Sequence, residues 1–195
     1  MKRQHFARLS QCLCFTLLLV SACPAWAGSL HLGLGYSNAS VRSDASGVDG
    51  SSGGGALAFG WEFAETWSLE FFTSLGHSVT TGVPRNIYYP ADKADYSLVF
   101  IGLGKSLWSL NDHSWTPWIE AGFGSAELYW HTYYYQVSGG GLVLAGGVDV
   151  RMGTTPLVLR AQYLSQDFST TDTYGDSSGS LSGEVLSVML MYRFR

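Results

Sequence analysis

Past residue 27 the sequence has no cysteine; Cys12, Cys14 and Cys23 all sit in the opening stretch. A chain without thiols can form neither disulfides nor thiolate metal sites. After Val20 no run approaches the roughly 18 unbroken apolar residues that a spanning helix needs, which excludes a helical membrane protein. Positive charge is scarce too. Without Lys2, Arg3 and Arg8, eight Lys+Arg face fifteen Asp+Glu, a net charge of about −7. That balance argues against a nucleic-acid partner, which would need a basic face.

The opening stretch has the form of a secretory signal. A basic start (Lys2, Arg3, Arg8) precedes an apolar run from Leu13 to Val20, and Ala25-Trp26-Ala27 supplies the small-x-small cut. The run is too short to span a bilayer as a helix. Residues 1–27 are expected to be cleaved, leaving one domain, 28–195. A rival cut at Val20-Ser21-Ala22-Cys23 would leave a lipidated Cys23. The strand that begins almost directly after Ala27 favours the first.

What the sequence does have is glycine (24 residues), aromatics (14%) and a period of two. From Gly183 to the end, Leu186, Val188, Leu190, Tyr192 and Phe194 fall on one face and Ser187, Met189, Met191 and Arg193 on the other, as in a strand. An apolar face closing on aromatic rings suits a membrane–water interface. A strand in lipid must have both edges paired, so it requires a closed ring.

Seven more segments alternate in the same way: Leu30–Val41, Gly54–Phe63, Trp67–Gly76, Tyr96–Leu107, Trp115–Ala126, Gly141–Arg151 and Pro156–Ser165. In Tyr96–Leu107, facing Val99, Ile101 and Leu103 outward sends Leu98 and Phe100 inward. The links run long, short, long, medium, long, short, long. The long ones (42–53, 78–94, 127–140 and 166–182) are rich in Gly, Ser, Asp or Tyr and read as loops. Eight segments near the length of a tilted membrane strand, joined this way, predict an all-β, eight-stranded antiparallel up-and-down transmembrane barrel with short periplasmic turns.

The parity sends Glu62, Glu70, Glu120, Asp149, Arg151, Arg160 and Arg193 into the lumen near the short-turn end, where four acids and three bases form a paired network. Facing lipid, each Arg at mid-depth would cost about 2–4 kcal/mol. Trp61, Trp67, Trp108, Trp115, Tyr192 and Phe194 are expected in the interfacial girdle.

With these segments laid out, the chain resembles the small eight-stranded outer-membrane barrel family, which includes the OmpA membrane domain, OmpX and opacity-type porin-like proteins. The carriers are Leu32-Gly33-Leu34-Gly35-Tyr36, Ile101-Gly102-Leu103-Gly104, Pro117 to Gly124, Ala145 to Arg151 and the closing Met191-Tyr192-Arg193-Phe194. The resemblance implies a monomer in the outer membrane of a Gram-negative bacterium. Its partners would be outer-membrane lipids and lipopolysaccharide, the barrel-assembly machinery during insertion, and an extracellular ligand of the loops. Arg195 departs from the family's terminal aromatic.

The function these residues suggest is a scaffold displaying four outer loops at the cell surface, for adhesion or surface interaction, with no cofactor and no metal. Tyr88-Tyr89 and the Tyr-rich loop 129–135 are candidate contact residues, although such rings also suit the outer girdle. A lipid A deacylase would resemble this chain at Gln162-Tyr163-Leu164-Ser165-Gln166, but the His that would activate Ser165 is absent there, so no catalytic residue is assigned. A small pore is the other alternative; an eight-stranded interior is normally filled by side chains. His31 falls at a lumen position, His77 at a loop edge, His113 in a turn and His131 in a loop, which is no metal-ligand spacing. Asp167, Asp172 and Asp176 match no EF-hand loop.

Overall fold

The computed structural model describes residues 28–44, 48–80, 93–131, 135–172 and 177–194. The leader with Cys23, and the loop residues Tyr88, Tyr89, Tyr133, Tyr134 and Asp176, lie outside the described residues. Eight strands, β1 (Ser29–Ser43), β2 (Val48–Ala64), β3 (Trp67–Thr80), β4 (Lys93–Ser106), β5 (Trp115–Trp130), β6 (Tyr135–Arg151), β7 (Leu157–Asp172) and β8 (Ser177–Phe194), close in sequence order. Every neighbouring pair is antiparallel, and β1 closes on β8 through pairs such as Leu34 with Leu190. This is the barrel that the alternation predicts.

The outward face is apolar from the short-turn end upward: Leu32, Leu34 and Tyr36 on β1, Ile101 and Leu103 on β4, Ile119 and Phe123 on β5, Leu186 to Phe194 on β8, all exposed. At the short-turn end Trp108 and Trp115 pack edge to face at 4.9 Å, Tyr192 and Phe194 at 4.7 Å, and Lys105 Nζ stands 4.7 Å over the Trp67 ring. Trp61 lies 5.4 Å from Phe63. All six aromatics expected in the girdle lie at this end.

The long loops of the sequence reading are a different matter. The strands run 14–18 residues, whereas a tilted strand crosses a membrane in about 9–11. The surplus is all at the long-link end. Most of 42–53, 127–140 and 166–182 is strand, and so are Ser78 to Thr80 and Lys93 to Ala94. Trp130 and Tyr135 are strand residues facing each other across β5 and β6, not loop residues. The barrel therefore rises about 15 Å above its apolar belt, at about 3.3 Å per residue and allowing for tilt. This raised part, the collar, has polar residues outside (Ser165, Asp167 and Ser169 on β7) and apolar residues inside (Val41, Val79, Leu128, Trp130, Val137, Phe168 and Leu181, all buried). Composition hid these strands, because Gly, Ser and Asp supply the outward face while the inward positions still alternate.

One bulge resets the inward face. On β3 the register moves from Ser74 opposite Leu98 to His77 opposite Tyr96, and Gly76 absorbs the extra residue at φ 78°. A side chain there would be strained. Below the bulge Glu70, Phe72 and Ser74 point inward; above it His77 and Val79 do.

Candidate functional site

The lumen is built in tiers. The lowest centres on Arg160, carried inward by β7. Its Nε donates to Asp149 Oδ1 at 2.7 Å and its Nη2 to Asp149 Oδ2 at 2.8 Å, a two-pronged pair with the cross-strand neighbour on β6. Nη1 donates to Glu70 Oε2 from across the barrel. The guanidinium lies 4.7 Å over the Trp118 ring, whose Nε1 donates to Asp149 Oδ1 at 3.1 Å. His31 Nε2 donates to Glu70 Oε2 at 3.0 Å. Gly60 makes room for that imidazole, because a Cβ there would stand 2.1 Å from His31 Nε2. Glu120 is buried beside them.

Glu62 and Arg193 form a separate pair at the short-turn rim, with Ser29 Oγ donating to Glu62 at 2.7 Å. The sequence reading put all seven charged residues at one level. The structure unites four of them (Glu70, Glu120, Asp149 and Arg160) and sets two at the rim. Arg151, the last residue of β6, turns to the mouth, where its Nη1 donates to the Asn111 carbonyl at 3.3 Å. It stands outside the network because β6 ends there and the adjoining turn supplies a nearer acceptor.

Above this tier the lumen is filled by Phe72 and Phe100, paired across β3 and β4, while Met189 and Met191 of β8 pack inside at the tier itself, opposite Arg160 and Val158; all four are buried. Leu98 and Phe100 point inward, as the alternation of β4 requires. Higher still lies a second polar cluster that sequence reasoning missed. His77, expected at a loop edge, is fully buried. Its Nδ1 donates to the Ser52 carbonyl at 2.8 Å, which leaves Nε2 to accept from Ser74 Oγ, with Ser37 Oγ 3.0 Å away. Gln166 Nε2 donates to Tyr96 Oη at 2.7 Å, and the Tyr96 ring meets His77 edge on at 6.0 Å. The backbone ladder between β2 and β3 ends at Gly55 and Leu75, and above it the Ser52–His77 bond and a Ser78 N–H to Ser52 Oγ bond at 3.0 Å hold the seam. The available signal was Gly76, since a glycine inside a strand pattern marks a bulge.

Ser165 is exposed on β7 opposite Glu184 of β8, and Tyr163 stands on the same face where a histidine base would be needed. His113 packs against Trp108, and His131 bonds to Asp95 at 2.7 Å.

A closed eight-stranded antiparallel wall, an apolar belt ending in aromatic rings and a charged, filled lumen define a fold class, the small transmembrane β-barrel. Solved structures show the same fold. Ail, the attachment invasion locus protein of Yersinia pestis, is 16% identical over 86% of this chain and 99% of its own, with a TM-score of 0.56. OprG of Pseudomonas aeruginosa is 15% identical over 87% and 97% (TM-score 0.59), and the outer membrane protein AlkL is 13% identical over 89% and 93% (TM-score 0.64). No protein-family model and no curated protein sequence matches the chain.

Proposed function

We propose that this chain is a non-enzymatic display barrel whose collar holds its connecting loops above the lipopolysaccharide headgroups for adhesion or surface interaction. The observation that carries this reading is the collar itself. A protein that only needed to span the membrane could stop at the belt; this one continues all eight strands upward around a packed apolar interior. That gives the loops a stiff base, which lowers the entropy lost on binding.

The collar's charge points to the kind of partner. Among the described residues there, Asp44, Asp49, Asp95, Glu127, Asp167, Asp172 and Glu184 outnumber Arg42 and Lys93. Ail has been solved with the heparin analogue sucrose octasulfate. An acidic collar repels such a polyanion and favours a basic or neutral surface. The filled middle tier speaks against a pore, and Ser165 without an imidazole speaks against lipid hydrolysis.

The test is cell binding. Bacteria expressing the protein are compared with bacteria in which segments 45–47, 81–92, 132–134 and 173–176 are replaced by short Gly/Ser links. Adhesion to cultured cells should fall with the replaced loops; the collar's acids remain in both strains, so binding to a surface coated with basic protein should persist and weaken with added salt. Equal adhesion of both strains to the cells rules the display reading out.

A further inference from the structure

The outward face of the belt carries almost no charge. From the short-turn rim up to Tyr36, Leu75, Val99 and Phe123 its positions hold aliphatic, aromatic or small side chains, and Lys105 is the one ionised group there among the described residues. The other cations at this end are turned elsewhere. Arg160 and Arg193 pair with carboxylates on the lumen side, and Arg151 reaches the Asn111 carbonyl at the mouth. Lys105 has no carboxylate within ion-pair distance among the described residues.

The strands fix where this ammonium stands. Lys105 is the next-to-last residue of β4, opposite Trp67 on β3 and Ile119 on β5. Its Nζ donates to Thr66 Oγ1 at 2.6 Å and lies 4.7 Å over the Trp67 ring. A lysine at a membrane rim ordinarily lets its long stem carry the charge out to water. Here the hydroxyl and the ring hold it at the level of the aromatic girdle. An ammonium has three N–H donors, and Thr66 takes one of them. Toward the hydrocarbon stand Leu69 and Leu103, both exposed, and beside the ammonium is Ile119, 67% exposed. A cation tethered at the foot of a bare aliphatic wall is complementary to an amphiphile with an anionic head.

We propose that Lys105 holds the phosphate of an anionic phospholipid in the leaflet at the short-turn end, with the lipid's acyl chains lying along Leu69, Leu103 and Ile119. The phosphate supplies the negative charge that the protein itself does not place beside this lysine. Trp67 and Thr66 orient the ammonium toward it.

The experiment mixes the barrel, purified in a nonionic detergent, with phosphatidylglycerol or with a galactosyl diacylglycerol of the same acyl chains, which has no phosphate. Native mass spectrometry reads the lipid retained. The wild type should retain phosphatidylglycerol about fivefold better than the galactolipid. Lys105→Gln should remove the preference and Lys105→Arg should keep it. Lys93→Gln, which takes a charge from the collar, should leave it unchanged. Equal retention of the two lipids overturns the proposal, and so does a preference that survives Lys105→Gln. Should that variant fail to insert, the wild type decides by acetylation, because Lys93 and Lys105 are the lysines beyond residue 27. An uncharged acetylating reagent should modify Lys105 more slowly, relative to Lys93, with phosphatidylglycerol than with the galactolipid. The same ratio with both lipids overturns the proposal. Equal slowing by inorganic phosphate without lipid means a site for free anions, which overturns it as well.

Discussion

Along β7 the outward side chains change from Leu157, Leu159 and Tyr163 to Ser165, Asp167 and Ser169, while the inward ones change from Arg160 and Gln162 to Leu164 and Phe168. The same ribbon has one radial order in the belt and the reverse in the collar. In the belt the surroundings are hydrocarbon, so apolar side chains face out and charge is tolerated only where it is paired inside. In the collar the surroundings are water, so burial of apolar groups inside becomes the driving force, as in a soluble barrel. Only the side chains show where the solvent changes, because the backbone pairing passes through without a break on most strands.

Breaking the belt's charged centre should have the largest effect. Arg160→Leu leaves Glu70 and Asp149 buried without their cation, and the expected loss is about 3–5 kcal/mol. The temperature at which the folded form disappears from unheated gel samples should fall by about 10 °C. The next break belongs to the collar. Phe168→Ala removes a fully packed ring at a cost of about 3 kcal/mol or more, yet the damage should stay local. Protease should then cut the collar ends of β6 and β7 while the belt survives as a protected fragment, and loss of the belt as well would show that the two regions form one cooperative unit.

A matched pair of substitutions sharpens the contrast on a single strand. Leu159→Arg, facing hydrocarbon, should cost about 2–4 kcal/mol in a lipid-based unfolding titration. Ser169→Arg, ten residues on and facing outward from the collar, should stay within about 0.5 kcal/mol. The smallest expected effect is electrical. With Phe72, Phe100, Met189 and Met191 filling the lumen, planar bilayers should show no steady current, and a reproducible open level would contradict the filled tier.

Much of the belt was legible in the sequence because hydrocarbon enforces a strict rule. Leu186 to Phe194, or Ile119 to Phe123, can hardly be read another way. The collar was harder. Its outward Gly, Ser and Asp have the composition of loops, and its inward Val41, Leu128 and Phe168 are spaced among them without an apolar neighbour on the other face to complete a familiar pattern. The charged site was legible as a list of inward residues but not as a geometry. That Arg160 would take Asp149 across one strand pair and Glu70 across the barrel depends on strand stagger, and that Arg151 would leave the group depends on where β6 stops. His77 was hidden by a single residue: without the Gly76 bulge, the parity of β3 would have pointed it outward.

The reversal has a consequence for how such a chain reaches its final place. Insertion from the short-turn side would carry Asp49, Asp95, Asp167 and Glu184, at the far ends of the four hairpins, through the full depth of the bilayer before they reach water again. Each would be disfavoured while in transit through the acyl chains. A thinned lipid layer would therefore matter more to this protein than to a barrel that ends at the membrane surface, and a tall acidic crown makes a demand on insertion as much as on the fold.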